Sequence, residues 1–444
     1  MRDFMQRVFS KSGISPTGSY LPPAIHPSFT SNPEVSIPNA MLEAEMVMTG
    51  ALSDVFARTA NCRSSFWSVT DDAGLGPQDI DILVTCASIF CPTPSLASML
   101  VHKFKMREDI QSYSLGGMGC GTGVVGINLC RDLLKARPNS VCVYVPAEIT
   151  SACYYPGHEK NRMVANCIFR MGGAAIMLTN KASLRSRAKY ELVAASRIHL
   201  GADDEAYGCM SWGPDSIGIN GVHLGKEVVT SAGATVTAAV TAIAPYILSW
   251  SEFGRAAFYA AQRKYAVQKG SCCRGNASKQ NLSLVLSCRL LGGGPEFKPE
   301  WTRCCEHFAL HAGGYAVLKG LQKGLDLPSE KMIPSYACLR DYGNTSCSTT
   351  WYSMAYIESQ MGVKKGERVL QLGVGGGTKA GVNCWKALRD LRVDHKVWQH
   401  LERPLKEADL PRGLEGSGKV RDPLMAEWGD NTKGATDGVP THAA

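Results

Sequence analysis

The chain has 444 residues, of which 45% are hydrophobic and 19% charged, a balance that excludes bulk disorder and a fibrous repeat. Its length points to about two to four domains or one large duplicated α/β body. Lys and Arg number 47 against 39 Asp and Glu, a net charge of +8. That surplus is too small to mark a nucleic-acid binder and suits an anionic substrate or a membrane surface equally well.

The 17 cysteines are scattered, with no two standing three apart, which excludes zinc-ribbon and thioredoxin-type patterns. Met1–Arg7 leads into no apolar run of signal-peptide type. The thiols therefore read as reduced, in a cytosol-facing protein. The triplets starting at Asn276, Asn281 and Asn344 read as chance matches to the glycosylation pattern.

In chain order, residues 1–40 are rich in Pro, Ser and Gly and read as an extended arm. Helical spacing covers 40–58, and 60–76 reads as a loop. Ile80–Cys86 is a short apolar strand, Leu96–Phe104 a helix, and Ser112–Leu115 a strand. After a glycine cluster, Val124–Leu134 is an amphipathic helix, while Val141–Val145 and Ala174–Leu178 are strands. Val228–Ser251 carries no charge and is long enough to span a bilayer. Its Ala, Thr and Gly content and Pro245 favour a buried helix followed by a turn. In the second half Tyr315–Leu325 and Cys347–Met361 read as helices and Phe308–His311 and Arg368–Leu372 as strands. Residues 270–295 read as a loop insertion, and the Pro-, Gly- and charge-rich tail beyond about 402 as disordered. Strands alternating with helices twice over indicate a layered α/β body with two related halves.

The densest chemical signal is Leu115-Gly-Gly-Met-Gly-Cys120-Gly-Thr-Gly-Val-Val-Gly126, between a strand and a helix. Glycines allow a tight turn there, and a thiol at a helix N-terminus gains from the helix dipole. Cys120 is thus a candidate nucleophile or, alternatively, a packed cysteine in a glycine turn. Gly121-x-Gly123-x-x-Gly126 also matches the dinucleotide-binding fingerprint, with Glu148 roughly where a ribose-binding acid belongs. His307 and His311, four apart, could share a zinc ion, but no glutamate follows His307. His311 before Gly313-Gly314 is otherwise a catalytic imidazole or a satisfied core histidine. Asn344 reads as a helix-capping or turn residue, and Gly373–Gly377 as an anion-facing loop or a plain turn. The basic stretch Lys181–Lys189 reads as a solvated face that could also touch phosphates.

Taken in order, these segments resemble the plant-type 3-ketoacyl-CoA synthases, the condensing enzymes of very-long-chain fatty acid elongation, from Arg2 to about Leu388. The resemblance rests on Cys91-Pro-Thr-Pro-Ser95, Ser114–Cys120, Asn166–Ala175, His199 with Gly201-Ala-Asp-Asp204, Glu306–Gly314, and Gly343-Asn-Thr-Ser346 with Trp351-Tyr352. It implies a thiolase-like αβαβα body whose N-terminal half (1–200) carries the nucleophile and whose C-terminal half (201–400) carries its partners, followed by a 401–444 tail. It implies a catalytic set of Cys120, His311 and Asn344, with His199 and His307 matching two further family histidines. The implied reaction joins a long-chain acyl-CoA to malonyl-CoA without metal or organic cofactor. Homodimerisation, elongase partner subunits and a place on the cytosolic face of the endoplasmic reticulum membrane are also implied. The family carries two membrane-spanning helices ahead of the matched part, so this chain is expected to be peripheral.

Departures occur at Gly376, Thr378 and Ala380-Gly381, where the family has Ser, Phe and Cys-Asn, and at Gly121-Thr122 after the cysteine. Residues 60–73 and 271–292 read as insertions. Two other readings stand beside this one: an inactive relative serving as a partner subunit, and a nicotinamide oxidoreductase using Gly121–Gly126.

Overall fold

A computed structural model describes residues 2–60, 74–268 and 297–410. The fold starts from strands apolar on both faces, which need cover on both sides. The first sheet is built on β1 (Ile82–Ala87), every residue of which is buried. Beside it run β2 (Gln111–Gly116) and β3 (Val141–Glu148), both parallel to it. Two short antiparallel strands, β4 (Gly172–Gly173) and β5 (Ile176–Thr179), pair with β3. The second sheet has the order β6 (Tyr190–His199), β11 (Lys379–Ala387), β10 (Arg368–Gly375), β9 (His307–Leu310). Met210–Pro214 and Asn220–Leu224 form a separate hairpin, β7 and β8.

Side-chain alternation assigns the layers. Leu83 and Ala87 of β1 and Val141, Val143 and Val145 of β3 face outward onto α2 (Ile37–Ala60) and α3 (Leu96–Phe104), burying Met48, Leu52 and Leu100. Their neighbours Ile82, Val84, Cys142 and Tyr144 face the other way. There they meet α4 (Thr122–Ala136), a helix at Thr349–Tyr356, and Val369 and Trp385 of the second sheet. That sheet's far face, Phe308, Leu310, Leu370, Leu372 and Val382, is covered by helices Val228–Ile247, Tyr315–Leu325 and Ser329–Tyr342. The result is five layers, αβαβα. Numbered in chain order after α4, the remaining helices are α5 (Lys160–Ile168), α6 (Asp204–Gly208), α7 (Val228–Ile247), α8 (Trp250–Gln268), α9 (Tyr315–Leu325), α10 (Ser329–Tyr342) and α11 (Thr349–Tyr356); α1 is Arg2–Ser10.

α4 is the middle of the sandwich, and its residues Thr122–Asn128 are all buried. The second sheet accepts it at Gly373 and Gly381, which lie opposite each other in register. A Cβ on either would stand under 3 Å from Val124 or Val125. Asn383 Nδ2 donates to Val124 O at 3.1 Å, and Trp351 Nε1 to Gly123 O at 3.0 Å.

Several elements differ from the sequence expectation. The supposed extended arm begins with a helix, α1, which packs on α5. Its Phe4, Val8 and Phe9 are helix-spaced, but the Pro and Gly of residues 11–36 dominate the composition of the whole stretch. Residues 11–36 are an arm, tied down by Ser15 N–H on Arg340 O and Met171 N–H on Tyr20 O. Tyr190–His199 is a full strand that joins the second sheet, so the change of sheet falls between Thr179 and Tyr190 rather than at 200. Val228–Ser251 is a helix with Pro245 in its last turn, followed after two residues by a second helix, α8. α7 packs one face, including Val236, Ala239 and Ile243, against the second sheet. Cys347–Met361 is composite: a 3₁₀ turn, α11 and one π-helical turn at Ile357–Met361. The expected insertions at 60–73 and 271–292, apart from Ala60, and residues 411–444 of the expected tail lie outside the described residues. Residues 402–410, expected to belong to that disordered tail, are instead ordered, with Leu405 buried and a 3₁₀ turn at Glu407–Asp409.

The π turn carries a buried carboxylate, Glu358, which accepts from Lys189 Nζ at 2.6 Å and His395 Nε2 at 2.8 Å. Against the effect of burial, His395 and Lys189 hold its carboxyl down at about 2. A depressed carboxylate stabilises the fold fully above its unfolded value, and that contribution fades as pH falls through about 4.5 towards 2. Glu358→Ala leaves Lys189 and His395 without their partner and is expected to cost about 3–5 kcal/mol at neutral pH. Urea unfolding should show this as a lowered midpoint, with the gap from wild type narrowing in acid.

Candidate active site

The turn before α4 is built from glycines with left-handed φ, Gly117 at 68° and Gly119 at 69°, values that favour glycine. It delivers Cys120 to the helix start, buried among Cys153, Ala165, Phe169 and Val222. Opposite it lies the glycine loop that joins β10 to β11. A Cβ at Gly119 would stand 2.5 Å from Gly376 N, and one at Gly375 would stand 2.5 Å from Cys120 N. The two loops therefore meet backbone to backbone.

His311 directly follows β9, its N–H donating to Leu372 O at 2.9 Å. The ring is buried, and its Nδ1 stands 2.7 Å from Thr349 Oγ1 of α11. Asn344 sits in a backbone bridge to Phe169. Its Nδ2 donates to Gly313 O at 3.2 Å, and its Oδ1 accepts Ser346 N–H at 2.8 Å. Gly313 is also where His311 Nε2 lies, 3.0 Å from where a Cβ would be. The Ser346 hydroxyl, 3.8 Å from Cys347 Sγ, is near enough to the Cys120 thiol and the Glu148 carboxyl to favour the ionised form of each. Cys120, Asn344 and His311 are thus joined through Ser346 and Gly313.

The other two family histidines lie outside this cluster. His307, at the far end of β9, places Nε2 2.9 Å from Glu367. His199 is exposed at the end of β6, beside Lys379 in register, with Nδ1 accepting from Gly201 N–H at 3.0 Å.

Burial sets the electrostatics. It pushes the Cys120 thiol up to about 12, with Glu148 adding to the rise and Ser346 opposing it. It pushes His311 down to about 4, so the imidazole is neutral at physiological pH. Burial also raises Glu148, which accepts from the Ser88 hydroxyl and from Ile149 N–H. Glu43, reaching across from α2, holds the next residues in place by accepting from the backbone N–H and hydroxyl of both Thr150 and Ser151.

The dinucleotide reading of Gly121–Gly126 does not fit this geometry. A Cβ at Gly123 would stand 1.8 Å from Cys347 O, and one at Gly126 would stand 2.5 Å from the Tyr144 ring. These glycines serve close packing and leave no approach for a pyrophosphate, and Glu148 faces Ser88 instead of open solvent. Sequence reasoning gave no role to Ser346, Thr349 or Lys379. Of these, Lys379 carries a visible signal, a cation directly after a glycine-rich loop at the head of an apolar strand.

Two family models match successive stretches of the chain. Residues 1–265 match the FAE1/type III polyketide synthase-like protein family, and residues 305–387 match the C-terminal model of 3-oxoacyl-[acyl-carrier-protein] synthase III. The chain is 37% identical over 397 residues to 3-ketoacyl-CoA synthase 5 of Arabidopsis thaliana, covering 88% of this chain and 71% of that one. To 3-ketoacyl-CoA synthase 6 of the same plant it is 36% identical, over 88% and 70%. This chain belongs to the 3-ketoacyl-CoA synthase family. Among solved structures, CsyB complexed with CoA-SH aligns with a TM-score of 0.60 at 18% identity, over 87% of this chain and 91% of that one. The C-terminal type III polyketide synthase domain of Steely1 from Dictyostelium gives 0.56 at 18%, over 87% and 90%. At that identity they speak for the fold alone, and the fold is thiolase-like. The synthase's altered glycine loop is accommodated by Thr378, whose hydroxyl donates to Ala206 O and whose φ is 38°.

Gly123→Ala is expected to yield little soluble, folded synthase, because its methyl group would overlap the Cys347 carbonyl. Gly50→Ala in α2, where a Cβ meets nothing within 4 Å, should match wild type or gain up to about 1 kcal/mol. Soluble yield and thermal melting of the pair check both halves of this expectation.

Proposed function

We propose that the chain is a condensing enzyme that joins a long-chain acyl-CoA to malonyl-CoA, giving 3-oxoacyl-CoA, CO2 and CoA. What supports this reading is the link of Cys120 to Asn344 and His311 through Ser346 and Gly313, in a member of the 3-ketoacyl-CoA synthase family. Cys120 attacks the acyl-CoA carbonyl, its bond to the CoA sulfur breaks, and the thiol proton leaves on CoA. The acyl thioester divides one hard condensation into two easier steps. Malonyl-CoA then loses CO2, and the electron pair of the broken C–C bond becomes a thioester enolate. Hydrogen bonds from Asn344 Nδ2 and His311 Nε2 hold the enolate oxygen. That role needs the His311 proton on Nε2, and so requires the Thr349 hydroxyl, which also lies 3.0 Å from Ser346 O, to turn its one hydrogen to Nδ1. The enolate carbon attacks the Cys120 thioester, a C–C bond forms, and the Cys120 sulfur leaves to be reprotonated.

A small cavity beside the nucleophile is lined by Leu21 and Ile25 of the arm and by Cys153, Tyr154, Ala165 and Phe169. Three of these, Cys153, Ala165 and Phe169, pack in one cluster with Cys120. At about 30 Å³ the cavity is too small for a long acyl chain, and our reading places only the first carbons on Cys120 against this cluster. Exposed apolar side chains stand on α6, the β7–β8 hairpin, α7 and α8, among them Tyr207, Trp212, Ile217, Tyr246, Trp250 and Phe258, and others on the arm and α2. Such side chains suit the surface of a bilayer in which long acyl chains dissolve, and the endoplasmic reticulum membrane is the setting we assign.

Cys120→Ala is expected to abolish both condensation and thioester labelling by acyl-CoA, read by intact mass. A thioester on the variant would exclude the assignment. His311→Ala and Asn344→Ala should keep labelling yet slow malonyl decarboxylation by about 10²–10³. Because His311 stays neutral down to about 4, decarboxylation should show no inflection near the ordinary imidazole value of ~6.5. Carbonate washing of membranes is expected to release the 1–444 chain. Retention, with 228–251 protected from protease, would mean that α7 spans.

A further inference from the structure

Lys379 opens β11 and is buried, 9% exposed. Its side chain curls back beneath the glycine loop. Nζ donates to Gly376 O at 2.5 Å and, across to the nucleophile turn, to Met118 O at 3.0 Å. Gly377, with φ of 63°, makes room for this, since a Cβ there would stand 3.2 Å from the ammonium. A lysine in such a place gives up solvent for two carbonyls, and burial lowers its affinity for the proton. Ionised Cys120 and Cys347 favour its charged form. That attraction is mutual, so the ammonium equally favours the Cys120 thiolate.

Among the described residues, the other groups that act on Cys120 supply no comparable positive charge. Glu148 at the end of β3 opposes thiolate formation, as does Cys86 at the end of β1 when ionised. Cys153 and Cys347 are thiols raised far above their ordinary range. Ser346 donates a hydrogen bond, and His311 is neutral. His199, beside Lys379 on β6, is itself held down by burial and by the lysine.

We propose that Lys379 is a positioning residue for the nucleophile: its ammonium ties the Cys120 turn to the glycine loop and supplies a buried positive charge that offsets Glu148 when the thiolate forms. This deepens the condensing-enzyme reading and rests on it for its purpose, but its test does not depend on acyl transfer. Iodoacetamide alkylation of Cys120 is followed by peptide mass spectrometry across pH in the full chain, for wild type, Lys379→Met, Lys379→Gln and Lys379→Arg. Below the midpoint, the rate follows the thiolate fraction, so a one-unit rise in midpoint is about a tenfold loss of rate. The Met and Gln variants should lose about tenfold or more and move the midpoint upward. Arg should keep the midpoint close to wild type. Glu148→Gln should move it downward.

A folded Lys379→Met with the wild-type profile overturns the proposal. Should Lys379→Met fail to fold, the Arg and Gln variants carry the comparison, and identical profiles for those two overturn it as well. Acyl transfer from a long-chain acyl-CoA is measured in parallel. If wild type alkylates at Cys120 with the expected dependence on Lys379 but takes no acyl group, the condensing reading fails while the role of Lys379 stands.

Discussion

The contact on which the site depends is one in which no side chain takes part. The first turn of α4 touches the Cys347 segment at Gly123 and the glycine loop at Gly119 and Gly121, backbone against backbone. The first sheet sends in the nucleophile turn. The second sends in the glycine loop and, by way of β9, the imidazole. Any Cβ at these glycines would wedge the halves apart, and the distance from Cys120 to its partners would open with them. Close packing at this seam and reactivity are therefore one requirement, because a misplacement of about 1 Å at reacting atoms is costly.

Burial gives that seam its chemistry and also its main difficulty. The same exclusion of water that keeps His311 neutral, fit to donate from a nitrogen without carrying charge, makes the Cys120 thiolate costly. Hydrogen bonding from Ser346 and the charge of Lys379 work against that cost, while Glu148 adds to it. Both Glu148 and Glu43 are raised by burial and satisfied by several donors. They hold the end of β3 behind the nucleophile, with Glu43 reaching from an outer layer to do so.

How much of this could be read from the sequence depended on how local each determinant is. Leu96–Phe104 and Tyr315–Leu325 are bounded by their own capping and glycine signals, and the helices match their expected limits. Tyr190–His199 has the alternation of a strand, but it is polar on one face and joins β11, nearly 190 positions away, so no local pattern marks its sheet. α1 was hidden by the composition of the segment after it. Cys120, His311 and Asn344 each stand within two residues of a glycine, which made them visible as turn-borne groups. Ser346 and Thr349 have no such mark: their importance comes from where the chain folds back, and Ser346 even adopts a left-handed φ of 51° without being glycine. The fingerprint at Gly121–Gly126 misled for a physical reason. Close helix packing and close phosphate approach call for the same absence of side chains.

The arm bears on the order in which the chain can assemble. Leu21 and Ile25 form one wall of the cavity beside Cys120. Met171 N–H on Tyr20 O holds them from the first half, but Ser15 and Ser19 before them are pinned by the carbonyls of Arg340 and Asp341, more than three hundred positions further along. On the ribosome those anchors do not yet exist when the first sheet and its nucleophile turn have emerged. Until the C-terminal half docks, the apolar wall is held at one end only, a period when such surfaces are prone to association. Contacts of this sequence separation form late and slowly, so the arm is pinned at both ends only once most of the chain has been made.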